Sequence, residues 1–234
     1  MPRVIAVMLA AVLGISTQET DNAWVFFVDD LHISFAQTGR LRDLLRTAAK
    51  ELVQEGDRYL FRASGPSARS LTTAMSALSA DRESITSTIK FMTGNGLKPQ
   101  DIGMSYSGTP STNEVLYRAN VSLDAAESTI YPLTGDPARR QAIIYVSSGY
   151  DVETFPALEE RVRAFARRAR ENNITIFAID PRGLGSDLLA GPFEERYVAS
   201  TRSSLTMLTE EGGFVIERAN EPALDLKRIN TQMR

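Results

Sequence analysis

The chain has 234 residues, 43% of them hydrophobic, with 26 basic and 29 acidic side chains and a net charge of −3. That length and composition suit one core-forming domain, and the acid-leaning balance speaks against a general nucleic-acid binder, whose surface would be basic. With no cysteine and a single histidine, disulfides, thiolate zinc sites, thiol catalysis and an HExxH metalloprotease site are excluded.

In chain order, the first segment reads as a targeting sequence. Met1-Pro2-Arg3 supplies a basic start, Val4 to Ile15 is apolar throughout, and Ser16-Thr17-Gln18-Glu19 turns polar. This is the three-part pattern of a secretory signal peptide, too short for a transmembrane helix. The expectation is a signal peptide over residues 1–20, a domain over 21–234, an exported product (periplasmic or extracellular), and no stable membrane span after processing.

Trp24-Val25-Phe26-Phe27-Val28 is a continuous apolar run, the mark of a strand buried on both faces. It leads into Asp29-Asp30-Leu31-His32-Ile33-Ser34. Strict alternation brings Asp30, His32 and Ser34 to one point and aims Asp29 away. Leu41, Leu44, Leu45, Ala48, Ala49, Leu52 and Val53 follow helical spacing and predict an amphipathic helix over Thr38 to Glu55, with Gly56 as its C-cap glycine.

Tyr59 to Ala63 reads as a strand, and Arg69 to Thr73 as a short edge strand. A helix starting near Ser79, Asp81 and Glu83 and carrying Ile85, Ile89 and Met92 ends at Gly94-Asn95-Gly96. A Gly/Ser/Thr/Pro-rich loop follows over 103–112, then a helix over Asn113 to Ala126.

Ala142 to Val146 is a second buried strand. The helix around Leu158, Val162, Phe165, Ala166 and Ala169 has an arginine-rich opposite face, read as a solvated surface because Glu159, Glu160 and Glu171 interrupt it. Ile174 to Ile179 is a third buried strand ending in the turn Asp180-Pro181-Arg182-Gly183. Leu184 to Ser203 reads as an irregular insertion, Leu205 to Glu211 as a short helix, Gly213 to Ile216 as a last strand and Leu224 to Met233 as a closing helix. Strands alternating with helices define an α/β fold with a mostly parallel sheet.

Three separated pieces then line up. They are Asp30-x-His32-x-Ser34 after the first strand, Ser107-Gly108-Thr109-Pro110-Ser111-Thr112-Asn113 before a helix, and Ser147-Ser148-Gly149-Tyr150-Asp151 after the second buried strand. Together they resemble the von Willebrand factor A domain, and more narrowly the exported bacterial von Willebrand factor A-related proteins. Leu208 to Phe214 looks like that family's closing helix-to-strand segment. The resemblance covers about Ala23 to Ile229. It implies a Rossmann-like, doubly wound sheet flanked by helices.

The resemblance also implies a metal-ion-dependent adhesion site, patterned Asp-x-Ser-x-Ser, a distant Thr, and Thr-Asp-Gly. There, hard oxygen ligands hold Mg²⁺ with one position open for an acidic partner group. By position, Asp30 and Ser34 match the first motif, and Thr112 matches the distant Thr, with Thr109 as a competitor. His32 stands where a Ser belongs, and Ser148 where the Asp of Thr-Asp-Gly belongs. Asp151 is a substitute carboxylate. Imidazole suits zinc and other transition metals better than magnesium. The candidates therefore stay open between Mg²⁺ or Mn²⁺, Zn²⁺ or another transition ion, and no metal at all.

Each candidate has a plainer account. His32 is then a hydrogen-bonded residue at a strand end, Ser34 and Thr112 are turn and cap residues, and Asp180 shapes its turn. No G-x-S-x-G elbow, phosphate loop or dinucleotide fingerprint is present. The expected function is a non-enzymatic module recognising a protein partner at the carboxyl edge of the sheet. A metal-free structural domain in an exported assembly is the alternative, and a metal-dependent hydrolase a more distant one.

Overall fold

A computed structural model describes residues 21–74, 77–97, 112–135, 138–183, 192–217 and 221–234. The expected signal peptide, Thr109 with most of its loop, and Leu184 to Gly191 lie outside them.

Five parallel strands form one sheet in the order β2-β1-β3-β4-β5. They are β1 (Asn22–Val28), β2 (Arg58–Ala63), β3 (Arg140–Val146), β4 (Ile174–Ile179) and β5 (Val215–Ile216). Every β1 residue is buried, as is β3 beyond Arg140, which is why these strands read as unbroken apolar runs rather than alternating ones. The chain moves outward from β1 to β2 and then returns to the other side of β1 at β3. That reversal makes the β1/β3 boundary the topological switch point, where α/β sheets bind ligands at their carboxyl edge.

The helices are α1 (Thr38–Leu52), α2 (Pro66–Ala74), α3 (Ser84–Ile89), α4 (Thr112–Glu127), α5 (Ile130–Thr134), α6 (Pro156–Glu171), α7 (Pro192–Thr209) and α8 (Ala223–Met233), with a 3₁₀ turn at Phe35–Gln37. The architecture is the α/β, Rossmann-like doubly wound class expected from the sequence. Among the described residues no helix is long and apolar enough to cross a membrane.

Several local expectations are corrected. Residues Arg69 to Thr73 are helical, within α2, not an edge strand. Pro66 opens that helix in the position proline tolerates best, and the cap comes from the loop that follows β1. Asp30 accepts the backbone N–H groups of Gly65 at 2.6 Å and Ser67 at 2.9 Å. Helix α1 stops at Leu52, not Glu55. Val53 is fully buried in extended conformation, and Asp57 accepts the Gln54 N–H at 2.9 Å, so Gly56 (φ +88°) serves the turn into β2 instead of capping the helix. Ser79 starts no helix, because it pairs antiparallel with Tyr59 across the edge of β2.

From Pro192 the stretch read as irregular is α7, which continues through the short helix expected at Leu205. It is hard to see in sequence because Ser and Thr crowd it. Their hydroxyls bond back to carbonyls one turn earlier, as Thr201 does to Val198 and Thr206 to Arg202. The arginine face of α6 points outward as expected, though its charges also fasten neighbouring helices. Arg161 reaches Asp124 on α4 at 2.6 Å, Arg168 reaches Glu127 at 2.8 Å, and Arg163 pairs with Glu210 just past α7.

Candidate functional site at the carboxyl edge

The four long strands end in register: Val28 pairs with Ala63 and Val146, and Val146 with Ile179. The residue one step past each of these ends is polar: Asp29, Ser64, Ser147 and Asp180. A buried polar row therefore runs across the sheet edge. All four residues are at most 8% exposed, so each must find partners within the protein.

Asp29 is the hub. Its Oδ2 accepts from Ser147 Oγ at 2.7 Å and its Oδ1 from Ser64 Oγ at 3.0 Å, while His32 Nδ1 sits 2.9 Å from the carboxylate. Burial works to raise the Asp29 pKa. The His32 charge and hydrogen bond, with help from Ser147 and Ser122, outweigh it and hold the carboxyl below its ordinary value. Beneath the hub lie Tyr145 and Tyr150, their hydroxyls bonded to each other, with Ser122 of α4 3.0 Å from the Tyr150 hydroxyl. Burial, then the charge of Asp29, pushes both phenols well above the usual range. The His32 ring meets the Tyr150 ring edge-on at 4.9 Å.

Asp30 faces a different way. Besides capping α2, it lies 3.2 Å from Ser64 Oγ, and its backbone carbonyl accepts the Asn95 N–H at 2.7 Å. Its pKa is raised, chiefly by burial and further by the neighbouring Asp29 charge, against the pull of the Ser67 and Gly65 amides. Two adjacent carboxylates are thus driven in opposite directions by their surroundings. The expectation that alternation aims Asp29 away is corrected. The strand ends at Val28, and past that point the chain turns, so Asp29 enters the site while Asp30 crosses to α2.

Ser34 starts the 3₁₀ turn, its N–H donating to Gln37 Oε1 at 3.0 Å. Thr112 is exposed at the start of α4, and Ser148 is buried beside Ser147. Asp151 accepts from Ser200 Oγ of α7 at 2.7 Å and from the Thr154 N–H at 3.1 Å, a partner set that it shares with neither Asp29 nor Asp30. Gly149, at φ +82°, permits this loop to cross α7. A Cβ there would lie 2.0 Å from the Thr201 carbonyl oxygen.

The Asp29 and Asp30 oxygens accept O–H and N–H donors of the protein, from Ser64 and Ser147 in one case and from Gly65 and Ser67 in the other. Among the described residues no three His, Asp or Glu side chains gather into a set able to hold a metal.

At the end of β4, Asp180 is clamped by two arginines. Arg182 bonds it through Nε at 2.9 Å and Nη2 at 2.9 Å, and Arg202 of α7 through Nε at 3.1 Å. Arg182 also donates to Thr201 at 3.0 Å. Tyr197, on the same helix, has its pKa pushed up to about 12, mainly by burial.

Sequence reasoning missed Ser64 and the clamp, and undervalued Asp29 and Ser147. The signal was present: a polar residue directly after each strand.

The chain matches no family model, and no curated protein matches it.

Proposed function

We propose that this chain is a non-enzymatic, von Willebrand factor A-like protein-binding module, exported, whose carboxyl sheet edge works without a metal. One observation carries the reading. The ends of β1, β2 and β3 are tied by Asp29, His32, Ser64 and Ser147, with the carboxylate oxygens saturated by protein donors. Such an edge is a hydrogen-bonded platform, and its carboxylates, occupied by protein donors, are poorly placed to activate water. Phe35, 73% exposed just beyond the site, offers the platform an apolar anchor of the kind that binding surfaces use.

Two measurements test this. Thermal melting is run with Mg²⁺, Mn²⁺, Ca²⁺ or Zn²⁺ against EDTA. An ion at about a hundredfold over its dissociation constant would stabilise by about 2.7 kcal/mol, some 5–10 °C in a domain of this size. The expected shift is nil for every ion, and a shift of that order with any of them removes the metal-free claim. Selection of short peptides from a random displayed library against the immobilised chain, in EDTA, is expected to enrich binders. Failure to enrich any would sink the binding role.

A further inference from the structure

The outer side of β2 carries a feature that adjoins the carboxyl-edge platform at Ser64 and runs beyond it. Strand β2 is an edge strand. Between it and the α4–α5 arm open two hollows. One, about 450 Å³, is walled by Leu31, Pro66, Arg69, Tyr117 and Val121. The other, about 540 Å³, is walled by Arg58, Arg62, Leu78, Tyr131 and Pro132. Tyr117 is 68% and Tyr131 86% exposed, an unusual outlay of aromatic surface on a helical arm.

The charge is one-sided. Arg58 and Arg69 are exposed, and among the described residues neither guanidinium makes an ion pair or hydrogen bond. The acid on the walls, Glu114, is already bound by Arg118 at 2.9 Å. By contrast, the exposed arginines of α6 are matched by glutamates.

We infer that this β2-edge groove docks an extended, acidic segment of a partner protein, with apolar or aromatic residues between its carboxylates. The inference rests on the binding-module reading and gives that module a docking face beside the platform, one that Phe35 does not line. Helix α4 is about 24 Å long at 1.5 Å per residue, which an extended peptide spans with about seven residues. Carboxylates meet Arg58 and Arg69, while the interleaved apolar side chains lie against Tyr117, Tyr131 and the leucine and proline walls. A single-stranded nucleic acid would also use arginine and tyrosine. It is disfavoured because Leu31, Pro66, Val121, Leu78 and Pro132 lie between the aromatic walls, surface that apolar side chains cover and a sugar-phosphate backbone does not.

The test takes the library-selected peptides to wild type, to the double variant Arg58→Glu/Arg69→Glu and to Phe35→Asp. It adds oligothymidylate as a second probe. The expected result is a selected set rich in Asp and Glu, bound about tenfold or more weakly by the double variant, weakened by salt, and indifferent to Phe35→Asp. Both arginines are exposed, so the double variant folds, and an unchanged melting curve verifies it. Peptides that ignore the double variant, or lack acidic residues, overturn the groove while leaving the binding module standing. Oligothymidylate binding that competes with the peptides also overturns it. The absence of any binder sinks both claims.

Discussion

Two ends of the same sheet solve one problem in different ways. Asp29 and Asp180 occupy equivalent places, one step past a buried strand, and both are fully buried. Asp180 is neutralised by the guanidiniums of Arg182 and Arg202. Asp29 receives two serine hydroxyls, and among the described residues the only chargeable donor bonded to it is His32. The β4 end is therefore a charge-compensated clamp that holds α7 to the sheet. The β1–β3 end is a softer hydrogen-bonded joint whose strength depends on protonation. A buried carboxylate at a strand end is thus not in itself a sign of ligand binding, because the partner set decides what it does.

The sharpest way to break this contrast is to remove the clamp's acid. Asp180→Ala leaves two arginines facing each other with Arg182 only 8% exposed. Removing one partner of such a pair costs about 3–5 kcal/mol, a large part of the 5–15 kcal/mol typical of a domain. The expected outcome is a strong fall in the urea midpoint. It is read by fluorescence of Trp24, the only tryptophan and fully buried in β1. Asp180→Ala as stable as wild type would show that the arginines re-solvate freely and that no clamp exists.

The architecture was far more legible than the site. Trp24 to Val28, Ala142 to Val146 and Ile174 to Ile179 announce buried parallel strands because both faces are covered and no polar position interrupts them. The residues of α2 gave no such signal. Its N-terminal cap is Asp30, 35 and 37 residues away from the amides it accepts, and local propensity cannot register a tertiary cap. The same holds for the candidate site. Motif spacing groups Asp30, His32 and Ser34 by alternation, but alternation lapses where the strand stops, and the residues that bond across the strand ends with His32 are Asp29, Ser64 and Ser147. Ser148 and Asp151 lie one and four residues beyond Ser147, yet the turn at Gly149 sends Asp151 to Ser200 instead.

Protonation sharpens the contrast within the softer joint. The folded pKa of Asp29 is depressed, so between that value and the unfolded one near about 3.9 the unfolded chain binds more protons. Its contribution to stability is complete above the unfolded value and is lost as pH falls through the folded one. Asp30 is raised, so the sign reverses. Between about 3.9 and its folded value the native state binds the extra proton, and stability is lost as pH rises through that window. Urea midpoints against pH should therefore lose their acid-side decline in Asp29→Asn and their decline just above it in Asp30→Asn. Identical pH profiles for the two variants would mean that the adjacent carboxylates are not differentiated.

The smallest expected effect separates the two hydroxyls on Asp29. Ser147 Oγ donates at 2.7 Å and also accepts the Gly149 N–H at 2.9 Å, so it links the carboxylate to the turn over α7. Ser64 Oγ divides its donation between Asp29 at 3.0 Å and Asp30 at 3.2 Å, and shared donation weakens each bond. Hydrogen bonds to charged groups contribute about 1.5–3 kcal/mol and ordinary ones about 1. Ser147→Ala should accordingly fall near the upper figure and Ser64→Ala near the lower. Asp30 keeps its two backbone amides in the second case, whereas in the first both the carboxylate and the Gly149 amide lose a partner inside a fully buried turn. Equal costs would show that the β2 end holds Asp29 as firmly as the β3 end does, and that the joint is one unit across three strands rather than a β1–β3 bond with a weaker flank.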